Sequence, residues 1–400
     1  MIILEVRKGL FWKNIDQVSE EDLKALIDNS VIEGKTLEYK QSLPGNSDSE
    51  KREFLADVSS FANASGGDLI YGIQEREGIP VSLEGLDIEN IDEERRRLED
   101  MIRNGIDPRI PSMNIKPIKL SNGKIAIIIR VHKSWFSPHR VIFKGHDKFY
   151  SRNTSGKYPM DVTELRNAFI LSETRIEKIK NFKGNRISNI IANETPIPLC
   201  ENGKIILHLI PLISSEPSKH YDIHKIYSDP SKMKPIDCSA PGRRYNLDGV
   251  LTFCKREDGT SYSYVQFFRN GILEAVNSSL LHPLGLEKFI PSVALERQLI
   301  KSLDEYLSLL KTLEVEPPIL LFLTLTGVKG YSMPVTPRSY WYTEVQPIDR
   351  DTLSVPEVVI EGYDVVAKDV LRPCFDCIWN ACGLPRSLNY DENGEWVGEK

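Results

Sequence analysis

The sequence predicts an α+β protein of two domains, on three observations. Its 400 residues correspond to about two or three domains at ~100–200 residues each. With 40% hydrophobic and 27% charged residues, it has an ordinary globular composition, which excludes a disordered chain. Stretches with helical period alternate with stretches of period two in both halves, without an internal repeat or low-complexity tract. Residues 1–180 read as a mixed sheet with helices, 181–203 as a polar, basic connector that starts helical, and 204–400 as a second α+β domain.

The chain opens with a short strand, and Ser19 then caps a helix to about Asn29, with Asp22 three residues on and Leu23, Leu26 and Ile27 on one face. Thr36–Gln41 alternates as a strand, Leu37 and Tyr39 to one side and Glu38 and Lys40 to the other. A helix over Ser49–Ala64 carries the apolar stripe Phe54, Leu55, Val58, Phe61 and Ala62, and Gly66-Gly67 stops it. Asp68–Ile73 is the next strand and Ile88–Asn104 the next helix. Met113–Leu120 and Lys124–Val131 form a hairpin across Ser121-Asn122-Gly123. Lys148–Arg152 is a strand, and Thr163–Ser172 a closing helix capped by Asp161 or Thr163. In the second half, Lys204–Ile213 is a buried strand followed by a loop to Arg244. Leu247–Lys255, Ser261–Arg269 and Ile272–Val276 form a meander. Leu284–Leu313 is mostly helix, Pro318–Thr326 a strand, and Tyr363–Cys382 a last helix packed on that strand.

Charge and cysteine content narrow the function. The net charge of −6 argues against a protein that coats nucleic acid. Yet Arg109–Lys157 holds eleven Lys or Arg and one acid, Asp147, a net of about +10. Interleaved Trp135, Phe136, Phe143, Phe149 and Tyr150 add surfaces on which bases stack, so the segment suits phosphate binding. Arg140, Lys148, Arg152 and Lys157 are the expected backbone contacts. Six irregularly spaced cysteines point to reduced thiols and a cytoplasmic address. The N-terminus lacks the layout of a secretory signal, and no apolar run approaches the ~20 residues of a membrane span.

Several catalytic patterns drop out. The chain has no G-x-x-x-x-G-K-[ST] loop and no G-x-S-x-G elbow. Cys374-x-x-Cys377 with Cys382 sits in an amphipathic helix and reads as core, and His220-x-x-x-His224 lacks a third ligand. One cluster survives. Glu38-Tyr39-Lys40 places a carboxylate and an ammonium on one strand face, with Glu33 close by. Phosphodiester cleavage uses a divalent cation held by carboxylates and a cation facing the phosphate. Glu75, beyond the strand Asp68–Ile73, is the expected third acid.

The runs EGKTLEYKQS, FLADVSSFANASGGDLIYGI and FYSRNTSGKYPMDVTELRNAF, in that order, resemble the Schlafen AlbA-type domain over about residues 15–172. The resemblance implies an α+β fold and nucleic-acid binding. It also implies, as in some members, metal-dependent cleavage of tRNA or rRNA by a carboxylate triad. In those nucleases an acid precedes the strand glutamate by five positions, as Glu33 precedes Glu38, and a third follows the glycine-containing strand, as Glu75 does. Mg²⁺ or Mn²⁺ would sit on Glu33, Glu38 and Glu75, with Lys40 stabilising the transition state. The expected partner is tRNA-like RNA or DNA, with defence against phage as a physiology by family analogy. The alternatives are a non-catalytic DNA-binding transcriptional regulator and an ATP-dependent switch. Residues 204–400 offer no named chemistry, and the oligomeric state stays open.

Overall fold

In a computed structural model of the chain, the alternating apolar runs of the first half close into a four-stranded sheet with helices on both faces. The structure describes residues 10, 13–111, 113–216, 219–281, 288–334 and 346–398. It divides into two units, Met1–Thr174 and Arg175–Lys400. The strand expected at the extreme N-terminus lies outside the described residues.

In the first unit, α1 (Glu20–Asp28) begins at a capping box in which the Ser19 amide donates to Asp22 Oδ2 at 2.8 Å. There follow β1 (Leu37–Lys40) and α2 (Asp48–Asn63), the latter capped by Ser47. Gly66, at φ +74°, turns the chain out of α2 into β2 (Gly67–Tyr71), as its sequence requires. Next come β3 (Ile73–Arg76), β4 (Ile79–Leu83), α3 (Ile91–Gly105) and β5 (Ile106–Asp107). The expected hairpin forms as β6 (Met113–Lys119) and β7 (Ile125–Val131). β8 (Arg140–Phe143), β9 (His146–Asn153) and β10 (Gly156–Pro159) precede α4 (Val162–Ile191), which begins in the first unit and ends in the second, where Ile187 and Ile190 pack with Ile206, Leu251 and Val276.

The central sheet runs β1-β2-β7-β6, with β1 parallel to β2 and the other pairs antiparallel. Period two sorts its side chains. Leu69, Tyr71, Ile127 and Ile129 pack under Phe54, Leu55, Val58 and Phe61 of α2 and Leu98 and Ile102 of α3. Leu37, Tyr39, Ile70 and Ile128 meet Leu23 and Leu26 of α1 on the opposite face. Each fully buried Leu, Ile or Phe contributes about 1.5–3 kcal/mol of transfer free energy. Because Leu37 and Tyr39 face α1, Glu38 and Lys40 face the α2 side. A second antiparallel sheet, β10-β9-β8-β5, lays β9 along α2. Asn63 ties the end of α2 to this sheet by donating to the carbonyls of His139 and Tyr150, both at 2.8 Å.

The second unit is built on a larger sheet of β11 (Lys204–Pro211), β12 (Gly242–Tyr245), β13 (Gly249–Lys255), β14 (Ser261–Phe268), β15 (Leu273–Asn277), β16 (Ile319–Thr326), β17 (Thr352–Ser354) and β18 (Val358–Ile360). The order is β12-β13-β14-β15-β11-β16-β17, with β18 also on β16, so the expected meander is present. One face of this sheet packs against α6 (Ser292–Thr312) and α7 (Ala367–Ala381). Cys374 and Cys382 are buried there as free thiols among Phe375, Ile378 and Trp379, as expected of core. A short helix, α5 (Ile223–Ser228), lies in the segment expected to be loop.

Three expectations change. The closing helix does not stop at Ser172 but runs to Ile191. Ile179, Ile187 and Ile190 keep an apolar period through a sequence whose polar density obscures it. The helix expected from Leu284 starts at Ser292; residues 282–287 lie outside the described ones. The thiols are not all reduced, since Cys238 and Cys254 form a disulfide with Cα atoms 6.1 Å apart. Cys238 lies in the loop before β12, outside the meander, so the irregular cysteine spacing does not reveal the pair.

Candidate nucleic-acid interface

Glu38 is the hub of the site. Its Oε1 accepts from Lys40 Nζ at 2.7 Å and its Oε2 from the Arg152 guanidinium. β9 brings Arg152 in from the second sheet, with its side chain 0% exposed and Cζ 4.2 Å above the Phe61 ring. Arg152 and Lys157 are paired across β9 and β10, so both side chains project from one face. Lys157 Nζ donates to Asp57 Oδ1 at 2.7 Å and to Glu53, and Arg152 Nη1 stands 3.7 Å from Asp57 Oδ1. Lys40 Nζ lies 4.0 Å from Asp57 Oδ2, an oxygen that is buried without a hydrogen-bond partner.

The electrostatics follow from this crowding. Burial works against the Glu38 charge, but Arg152 and Lys40 outweigh it and hold the carboxyl below its ordinary value. Burial pushes Asp57 up to about 6; Lys157 opposes that shift and Glu38 reinforces it. Glu33 is raised to about 7, chiefly by burial and then by the charges of Glu38 and Glu75. Its Oε1 accepts from the Tyr39 amide at 2.7 Å. Burial also disfavours the Lys40 ammonium, yet Asp57 and Glu38 raise its pKa overall. Glu33, Gly34, Glu38, Gly78, Arg152 and the turn Thr154–Gly156 line a cleft of about 260 Å³.

The structure thus brings Glu33, Glu38, Lys40, Arg152 and Lys157 together. Glu75 does not join them. Its carboxylate accepts from the Gly78 amide at 2.6 Å, closing the turn between β3 and β4, and it reaches Glu33 only through its field. The acid beside Glu38 is instead Asp57, which the sequence reading missed. One signal was present: Asp57 is a lone acid within the apolar stripe from Phe54 to Phe61, where an unpaired charge is costly and therefore calls for partners. As they stand, the carboxylates do not fit a shared Mg²⁺ or Mn²⁺. Both oxygens of Glu38 are taken by cations, and among the described residues no group of three metal-ligating side chains converges.

The basic segment also differs from its sequence appearance. Arg152, expected to dock phosphate at the surface, is buried among carboxylates. Arg140 is paired with Asp107 and Asp147, and Lys148 is exposed. Lys124, Arg130, Arg140, Lys144, Arg152 and Lys157 all have an acid from outside the segment within 4 Å, so counting charge along the chain overstated the positive surface. No described helix is long and apolar enough to cross a membrane.

Residues 33–161 match the family model described as Schlafen, AlbA_2. No curated protein matches the chain. Among solved structures, the chain has similarity to the DIP2311 protein from Corynebacterium diphtheriae, at 19% identity and a TM-score of 0.24. That alignment covers 40% of this chain and 26% of the other, so this chain spans about a quarter of that protein.

Proposed function

We propose, from the match of residues 33–161 to the Schlafen AlbA_2 family model, that the chain binds RNA by seating the phosphodiester backbone in the cleft beside Glu33. The supporting observation is a cleft lined by Glu33, Glu38, Arg152 and the turn Thr154–Gly156, with Lys40 held beside it on Glu38. A phosphate entering there would compete with Glu38 for the Lys40 ammonium, whose side chain is one-third exposed, and charge-assisted bonds of this kind are the strong ones. Protonation of Glu33, raised to about 7, removes a negative charge that the phosphate would otherwise face.

Cleavage of tRNA-like RNA, as in defence against phage, is the finer reading, and a different observation favours it. Glu33 is able to hold a proton near neutrality while Glu38 stays ionised, and two carboxyls with separated pKa values divide acid–base work between them. In that reading Glu33 moves a proton at the attacking or leaving oxygen, Lys40 faces the charge gathering on the phosphate, and Arg152 holds the Glu38 carboxylate in place. No step is routed through a metal ion, because the carboxylates do not fit one as arranged.

The test is incubation of the purified protein with total tRNA, in Mg²⁺, in Mn²⁺ and in chelator, beside Glu38→Gln. Discrete fragments that disappear with Glu38→Gln support cleavage. Cleavage by Glu38→Gln at the unsubstituted rate, or none in any condition, removes it. Tighter binding of duplex DNA than of tRNA in the same buffer would favour the regulator reading instead.

A further inference from the structure

We propose that the second unit carries its own binding surface for single-stranded nucleic acid, centred on Tyr245 at the open edge of its sheet. This goes beyond the reading of the first unit, since it uses other residues on another sheet. β12 ends the sheet order, and all four of its residues are exposed. Register places Arg243 and Tyr245 on one face, opposite Thr252 and Val250. On that face Tyr245 stacks on Tyr227, with ring centroids 4.0 Å apart and planes 12° from parallel. The Arg243 guanidinium lies 4.8 Å from the centre of the Tyr227 ring. His224 Nδ1 is 2.9 Å from the Tyr245 hydroxyl and fixes the ring in place.

Tyr245 is 40% exposed, and Leu247 just beyond the strand is 90% exposed, so an aromatic stack begun inside the protein ends at solvent. A base continues such a stack, whatever its identity, because every base has a π face. The surrounding charge fits a phosphate backbone. Lys219–Arg256 contains eight Lys or Arg and four acids. Three of those acids are already engaged: Asp222 caps α5, Asp229 is held by Ser231 and Lys232, and Asp237 accepts from Gln298. Lys219 is likewise taken by Glu316 and Lys232 by Asp229, so the positive charge beside Tyr245 is that of Arg243 and Arg244, both exposed on β12. An acidic peptide would satisfy the arginines but has no use for a stacked tyrosine pair, which decides for nucleic acid.

The experiment measures fluorescence anisotropy of a labelled 12-nucleotide oligouridylate and of a labelled 12-residue oligoglutamate, with the full chain. The variants are Tyr245→Ala, Tyr245→Phe and Arg243→Ala, each checked for an unchanged thermal transition. The expected result is that Tyr245→Ala weakens oligouridylate binding by at least about fivefold, the equivalent of ~1 kcal/mol and the low end for loss of one stacked base. Tyr245→Phe keeps the ring and should bind within twofold of the unsubstituted protein, while Arg243→Ala should bind more weakly, most clearly at low salt. Equal affinities across all four proteins, or binding of oligoglutamate but not oligouridylate, would overturn the proposal. Lys40→Ala, beside the cleft of the first unit, separates the two readings: a Tyr245-dependent loss of the same size in its background belongs to the second unit.

Discussion

Glu33 holds its proton to about 7 because burial and two neighbouring carboxylates disfavour its charge. The folded state therefore binds a proton that the unfolded chain has released. Its contribution to stability is complete below the ordinary value of 4.5 and is lost as pH rises to about 7. Melting temperatures measured from pH 4.5 to 8 should fall in the unsubstituted protein relative to Glu33→Gln, which has no proton to lose. RNA affinity should weaken over the upper part of the same window, and less steeply in Glu33→Gln, where Asp57 still titrates at about 6; a pH-independent difference between the two would mean that Glu33 does not face the ligand. Arg152 belongs to the same scale. With its side chain 0% exposed and those of Glu38 and Asp57 at 12% and 1%, Arg152→Ala leaves Glu38 with Lys40 alone and Asp57 with Lys157 alone. Urea denaturation should show a loss of about 1.5–3 kcal/mol, whereas Lys148→Ala on the surface should be near neutral.

At the scale of elements, β2 passes close beneath α2. A Cβ on Gly67 would stand 2.3 Å from Phe61 Cε1 and 2.7 Å from the Thr36 carbonyl oxygen. Gly67→Ala should therefore cost about 1–3 kcal/mol, or prevent folding, by pushing Phe61 out from beneath Arg152. Gly184 is the opposite case. It lies inside α4 with nothing within 4 Å of a built Cβ. Gly184→Ala should stabilise by about 0.4–1 kcal/mol, chiefly by restricting the unfolded chain. If both substitutions had the same sign in equilibrium denaturation, the contrast between packing and backbone entropy would be refuted.

At the scale of the whole molecule, binding depends on how many cations remain for phosphate. Eleven neutralised phosphates would give a slope of log K against log salt near −10 on duplex, at about −0.9 per contact. Six cations of the basic segment already have acidic neighbours, so the slope should be no steeper than about −5. Lys148→Ala should reduce its magnitude by about one. A slope close to −10 would show that the internal ion pairs open on binding.

The elements with a clear period were legible in the sequence: β1, α2, the β6–β7 hairpin, the meander and the C-terminal core helix. Their apolar faces and turn residues are local properties. The pairing of Glu38 with Lys40 was legible for the same reason, as both lie on one face of one strand. What only the tertiary structure decided are the encounters between distant segments. Asp57 replaces Glu75 as the third acid because the face of β1 that bears Glu38 turns toward α2. Arg152 is an internal counter-ion rather than a docking cation because β9 lies along that same helix. Cys238 meets Cys254 only once a loop has folded back on the meander. Charge and thiol chemistry act through space at a few ångströms, so their partners are set by packing, which spacing along the chain does not record.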